Sequence, residues 1–267
     1  VAFEETKFSG YNTLESSCIV LALLVDGQLS QGASLGDNVQ IILDSTPFYA
    51  ESGGQVGDKG ILIGENLVVS IYNVTREKQR FIHSGVIQQG TLRVNDHITA
   101  KVDNCSRSCA NSNHTATHLL QSALKLIIDP SVGQRGSLVA FDRLRFDFNS
   151  PSPISTGQLK EMETLVNKWI LEDHPIIIET MAIEKALKAG ALAMFGEKYG
   201  EVVRVVDVPG VSMELCGGTH VKATGELGVF KIIGESGIAS GIRRIEAVAG
   251  PALLDYVNDR DLIVKEL

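Results

Sequence analysis

The sequence has no apolar run long enough to cross a membrane as a helix. The longest, Ile19 to Val25, falls far short of the ~18 residues such a span needs. It has no low-complexity segment and no internal repeat. Disorder as the main state is excluded, because 44% of its 267 residues are hydrophobic. It has only 4 cysteines, Cys18, Cys105, Cys109 and Cys216, too few and too scattered for a disulfide framework. A reducing compartment, cytoplasmic or organellar (mitochondrion or plastid) and not secreted, is the expectation. It has no excess of basic residues. Twenty-four Lys and Arg against 32 Asp and Glu give a net charge of −8, which argues against a surface given over wholly to nucleic acid. A local basic strip on an acidic body stays open. The first residues, Val1-Ala-Phe-Glu-Glu5, include neither an initiator Met nor a basic stretch followed by an apolar one. The expectation is an excised fragment or a processed chain.

What is present divides in two. Up to about residue 100, short strand-like runs recur between turn signals: Cys18–Val25, Asn38–Leu43, Gly60–Ile63, Leu67–Val74, Phe81–Ile87 and His97–Val102. Asp26-Gly27, Gly36-Asp37 and Gly64-Glu65 punctuate them. This spacing predicts a small barrel or sandwich. Among the runs lies Thr46-Pro-Phe-Tyr-Ala-Glu-Ser-Gly-Gly-Gln-Val-Gly-Asp58, dense in glycine. It reads either as a surface turn or as a loop packed against a ligand or a neighbouring site.

From about residue 103 helices and strands alternate. A helix is expected from Asn113 to Ile128, stopped by Asp129-Pro130. An extended stretch, Ser137–Phe148, follows, with Leu144, Phe146 and Phe148 alternating with Arg143, Arg145 and Asp147. A second helix is expected over Gly157–Asp173, capped by Ser155 or Thr156. Strands at Pro175–Thr180, Val202–Val208, Gly228–Ile233 and Ile242–Ala249, a short helix Ile183–Ala189 and a last helix from Pro251 complete an α+β reading with a mostly antiparallel sheet.

Two motifs carry chemistry: His114-Thr-Ala-Thr-His118 and Cys216-Gly-Gly-Thr-His220. At about 100° per helical residue, with Ala116 as zero, Leu119, Leu120, Ala123, Leu124 and Ile127 form one stripe, while His114 and His118 fall near 160° and 200°, one turn apart on the other side. Alone, such a pair reads more readily as two solvated histidines. Gly217-Gly218 favours a tight loop that brings Cys216 to His220. Thiolate and neutral imidazole are zinc ligands, and the two pairs together make a Cys-His₃ set. Thr115 stands where a zinc peptidase carries its Glu, so that chemistry is excluded. Cys105 and Cys109 lack a complementary pair and read as two buried or inert thiols.

Several strings jointly resemble the editing domain of alanyl-tRNA synthetases, whose motifs the freestanding AlaX-type proteins share. They are Asn113-His-Thr-Ala-Thr-His-Leu-Leu120, Gln134-Arg-Gly-Ser-Leu138, Leu144-Arg-Phe-Asp-Phe148, Phe195-Gly-Glu-Lys-Tyr199, Glu214-Leu-Cys-Gly-Gly-Thr-His220 and Ser236-Gly-Ile-Ala-Ser-Gly-Ile-Arg-Arg-Ile-Glu246. Phe8-Ser-Gly-Tyr11 and the glycine-rich Pro47–Asp58 string extend the likeness through the first half. The resemblance implies a barrel-like domain over 1–102, a zinc-containing deacylase domain over 103–250 and the start of a C-terminal helical connector over 251–267. It implies hydrolysis of Ser-tRNA(Ala) and Gly-tRNA(Ala), with Zn²⁺ on His114, His118, Cys216 and His220, and a parent chain with aminoacylation and C-terminal domains. Gln134, Thr117 and Cys216 match catalytic-pocket positions, with Thr117 expected as the hydroxyl sensor unless it is a plain surface Thr. Arg243, Arg244 and Ser137 are expected toward substrate and the tRNA(Ala) acceptor end, one arginine meeting RNA and the other making a structural ion pair. Arg143, Arg145, Lys222 and Lys231 extend that strip or are surface charges. A non-catalytic zinc-stabilised tRNA-binding module, a freestanding AlaX-type deacylase and a general metallohydrolase remain the competing readings.

Overall fold

The computed structural model describes residues 5–193 and 199–266. It divides into two compact units, Val1–Ser52 with Val56–Arg107, and Gly53–Gln55 with Ser108–Leu267. The tripeptide Gly53–Gln55 thus belongs to the second unit although the sequence around it belongs to the first.

The first unit is a closed six-stranded antiparallel barrel. Its strands run in the order His97–Val102, Gly60–Gly64, Leu67–Glu77, Arg80–Gln89, Asn38–Leu43 and Glu15–Val25, and the last pairs back onto the first. Period-two burial builds it: along Arg80–Gln89 the inward positions Phe81, His83 and Ile87 alternate with partly exposed ones. Ile41, Leu43, Phe48, Leu62 and Ile71 fill the interior. The hairpin after Glu15–Val25 turns on Asp26 and Gly27 with φ +48° and +79°, the paired positive values of a type I′ turn. The strands run up to three residues beyond their expected ends, and short strands at Gln28–Ser30, Gly32–Ser34 and Thr91–Arg93 are added.

In the second unit a four-stranded antiparallel sheet, ordered Gln134–Val139, Leu144–Asn149, Ile242–Ala249 and Phe230–Ala239, packs its apolar face on helices. Helix α1 spans Asn104–Ile127 and α2 spans Thr156–Leu171. Leu119, Leu120 and Leu124 of α1 and Met162, Val166 and Trp169 of α2 meet Phe146, Phe148 and Ile245 of the sheet. Asn113 ties α1 to the sheet, donating through Nδ2 to the Ala140 carbonyl at 3.0 Å and accepting from Ala249 N at 3.0 Å. Ser155 and Gln158 form a capping box at the start of α2. A second sheet runs Ile177–Ala182, Val202–Val208 and Ser212–Leu215. Helices α3 (Ile183–Lys188) and α4 (Pro251–Glu266) complete the unit.

Three expectations are corrected. Helix α1 begins at Asn104, nine residues before Asn113, because Asp103 Oδ1 accepts from Ser106 N at 2.7 Å and supplies a cap. The single extended stretch Ser137–Phe148 is two strands closed by a turn in which Ala140 N donates to the Arg143 carbonyl at 2.9 Å. Cys105 is exposed and only Cys109 is buried. Most of the Phe195–Tyr199 motif lies outside the described residues.

Candidate metal centre

Helix α1 delivers two of the site's side chains. Its apolar stripe, Ala116, Leu119, Leu120, Ala123 and Leu124, is fully buried in the core. That fixes the rotation of the helix and carries His114 and His118 to the other side, where they too are buried. The loop Cys216–His220 delivers the other two. Arg204 Nη1 donates to the carbonyls of both Cys216 and Gly218 at 2.8 Å and holds the loop folded. A Cβ at Gly218 would collide with the His114 ring, so only glycine fits there.

One ligand atom from each of His114, His118, Cys216 and His220 lies within 4.8 Å of the other three. Cys216 Sγ is 3.4 Å from His114 Nε2 and 3.3 Å from His220 Nε2. The expected meeting of two distant stretches is therefore present in the geometry.

The outward nitrogens of two of the three rings are hydrogen-bonded. His114 Nδ1 meets Gln55 Oε1 at 2.7 Å, and His220 Nδ1 meets Thr115 Oγ1 at 3.0 Å. His118 Nδ1 faces Glu214 Oε1 at 3.8 Å without a hydrogen bond. The rings of His114 and His220 thus turn Nε2 toward the sulfur. Metal-binding histidines are held in this way, with the second nitrogen fixed by an outer partner.

Gln55 is fully buried, and its Nε2 also donates to Thr219 Oγ1 at 2.8 Å while its Oε1 accepts from Thr219 N at 3.0 Å. It reaches that position because Gly54, at φ +84°, lies against the strand Gln134–Val139: a Cβ there would come within 2.7 Å of the Ser137 carbonyl oxygen. Of the two readings of the glycine-rich string, Gly54 and Gln55 fit the one in which it packs against a neighbouring site. Gln55, Thr115 and Glu214 were not among the expected site residues. Only the density of glycine around Gln55 signalled one of them.

The protonation states of Cys216 and His220 suit a cation. Burial pushes the Cys216 thiol up, but His114 and His220 beside it bring it down well below the ordinary thiol range. Burial, with His114 adding to it, holds His220 near 3 and hence neutral. Burial opposes charge on His118, yet Glu214 and Cys216 prevail and raise it to about 9. The donor set, one thiolate and three imidazoles, fits a tetrahedral zinc ion.

The remaining expected residues have partners of their own. Thr117 is buried and donates to the Asn113 carbonyl at 2.9 Å. Gln134 opens its strand at a bulge and, with Gln121 and Glu214, lines a cavity of about 90 Å³. Ser137 is half-buried in the same strand. Both expected arginines are held in bidentate ion pairs, Arg243 with Glu235 at 2.6 and 2.7 Å and Arg244 with Asp147 at 2.6 and 2.8 Å. Both the arginine expected toward RNA and the one expected in a structural pair are therefore ion-paired. Strand neighbours on each side supply a carboxylate to both. Lys231 pairs with Glu163, and Arg143 with Asp142.

Residues 2–106 match the family described as tRNA synthetases class II (A), and residues 203–246 match the Threonyl and Alanyl tRNA synthetase second additional domain. The second match contains Cys216, His220, Arg243 and Arg244. Alanine–tRNA ligase of Prochlorococcus marinus (strain NATL1A) is 61% identical over 99% of this chain and 30% of its own length. Alanine–tRNA ligase of Synechococcus sp. (strain CC9902) is 60% identical over 98% of this chain and 29% of its own. Over nearly its whole length the chain is similar to a segment of alanine–tRNA ligases. It spans about 30% of the length of these alanine–tRNA ligases.

Proposed function

We propose that this segment of an alanine–tRNA ligase is its deacylase, hydrolysing the ester of seryl- and glycyl-tRNA(Ala) at a zinc centre on His114, His118, Cys216 and His220 while sparing alanyl-tRNA(Ala). The observation that carries the reading is the convergence of these four donors with every outward imidazole nitrogen facing a fixed group. A synthetase site built for alanine cannot exclude glycine by size and rejects serine, one hydroxyl larger, only weakly. A second site that hydrolyses the errors meets that need.

Zinc at this centre would act as a Lewis acid toward the ester or the attacking water. The chain's own residues do the rest. Thr117 commits its proton to Asn113, so its oxygen is left as an acceptor for a seryl hydroxyl. An alanyl group offers that acceptor nothing, and a buried polar atom left unmatched is costly. Gln134 places the water or the substrate from the rim of its small cavity. Arg243 and Arg244 serve a tRNA phosphate by exchanging a carboxylate for it, since both are paired at rest. The tRNA acceptor end is the partner, and the aminoacylation and C-terminal domains belong to the rest of the parent chain.

The test is release of labelled serine, glycine and alanine from charged tRNA(Ala), with Cys216→Ala in parallel and bound metal measured by mass spectrometry. Release of serine and glycine that disappears in the variant supports the reading. Retained tRNA binding with no release of any of the three replaces it with a non-catalytic zinc-stabilised module. Full deacylation after metal loss removes zinc from the chemistry.

A further inference from the structure

The geometry points to Glu214 as the positioning residue of the metal centre, holding His118 with Nδ1 outward and balancing the charge of a bound divalent ion. This inference rests on the metal reading above and adds a residue to it.

Glu214 is 4% exposed, in the strand Ser212–Leu215. A buried carboxylate is costly unless it is paired. Side chains two apart on a strand share a face. Ser212 therefore lies beside Glu214 and donates from Oγ to its Oε1 at 2.9 Å. Leu215, on the opposite face, packs with Val203 and Val205 and anchors the strand. These two contacts aim the carboxylate at His118, whose buried Nδ1 has no hydrogen bond of its own.

The charge count supports the same role. A divalent ion with a single thiolate leaves one positive charge in a buried site. Arg204, donating to the carbonyls of Cys216 and Gly218, adds to that charge. Gln55 and Thr115, which face the other two rings, are neutral. Glu214 is the anion among the three groups facing outward nitrogens. A carboxylate behind a ligating imidazole fixes its tautomer and strengthens it as a ligand.

The test uses the full chain and competition between the protein and a chelator for Zn²⁺. Glu214→Gln keeps the shape and removes the charge, and is expected to weaken metal binding about 10- to 100-fold. In the Co²⁺-loaded chain each outward imidazole N–H gives an exchangeable, strongly shifted proton signal. Glu214→Gln is expected to move the signal of His118 and leave those of His114 and His220 in place. Ser212→Ala is the second variant. It keeps the charge but frees the carboxylate, and is expected to move the same signal with less than about a tenfold loss of affinity. Parent affinity and an unmoved His118 signal in Glu214→Gln overturn the role of Glu214 alone. The same result in Ser212→Ala overturns it where Glu214→Gln does not fold. Failure of the unsubstituted chain to bind Zn²⁺ or Co²⁺ overturns the metal reading as well.

Discussion

Each unit buries one dense polar cluster, and the two clusters are finished in different ways. In the barrel unit Arg107 donates to both oxygens of Asp58, to the Gly10 carbonyl at 2.7 Å and to the Pro47 carbonyl at 3.0 Å. Asp58 also accepts from Tyr49 N at 2.7 Å. Donors meet acceptors and charge meets charge, with nothing left over. In the second unit four electron-pair donors face one another and their outer sides are fixed by other groups. One thiolate and three imidazoles facing one another are a donor set that a zinc ion would fit. The first cluster is closed by its own partners, whereas the donors of the second converge as a set that could hold a metal.

The largest expected effect tests the closed cluster. Arg107→Ala strands the Asp58 carboxylate in the interior and is expected to cost about 3–5 kcal/mol. Replacing both partners by apolar residues, Arg107→Met with Asp58→Leu, is expected to cost far less. Denaturant unfolding measures both. A cost for Arg107→Ala below that of the double replacement would mean that the pair is not a structural clamp. Zinc binding is expected to be unchanged in either variant.

The second cluster should respond the other way. Metal at about a thousandfold excess over its Kd is expected to add about 4 kcal/mol to the stability of the second unit, and each further tenfold about 1.4 kcal/mol. Cys216→Ala is expected to abolish that dependence. A melting temperature that rises with zinc just as steeply in Cys216→Ala would show that the ion binds elsewhere.

A histidine inside the barrel makes a contrast with the histidines of the metal site. His83 is fully buried, with Nδ1 at 3.1 Å from the Ile41 carbonyl and Nε2 at 2.7 Å from Thr46 Oγ1. Nδ1–H donates and Nε2 accepts, which describes a neutral ring. Burial holds it at about 4, below the ordinary 6.5. The folded state binds its proton less tightly than the unfolded chain does. The stability that His83 contributes is therefore complete above about pH 6.5 and is lost as the pH falls to about 4, roughly 3 kcal/mol in all. His83→Gln is expected to flatten this part of the acid-unfolding profile. An unaltered slope in that variant would assign the acid sensitivity to other groups.

The two clusters also differ in how well the sequence announced them. His114, His118, Cys216 and His220 were legible because few residue types bind zinc and their spacing suits a helix and a tight loop. The apolar stripe of α1 was legible from period alone. The first turns of α1 were not. Asn104–Ser112 is rich in Ser, Asn and Cys, middling helix formers, and the helix there rests on the Asp103 cap and on tertiary contacts. The strand Ser212–Leu215 was missed because its buried face carries Ser212 and Glu214, which breaks the apolar alternation that marks a strand. Arg107, Asp58, Gln55 and Glu214 escaped notice for a shared reason. Each is an ordinary surface residue type, and its role depends on a partner far away in the chain.

The smallest effect separates the outer contacts of the metal centre from its ligands. Gln55→Ala removes the group facing His114 Nδ1 and both bonds to Thr219, without touching a ligand atom. Loss of such an outer partner costs about 10- to 100-fold in metal affinity, or about 1.4–2.7 kcal/mol. Zinc should still bind, the barrel should unfold as before, and deacylation should fall in proportion to metal lost at limiting zinc and recover at saturating zinc. Chelator competition and serine release measured at both zinc levels check this. A defect in serine release that persists at saturating zinc would move Gln55 from the support of His114 to the substrate itself, and the glycine-rich tripeptide would then belong to the pocket rather than to the metal.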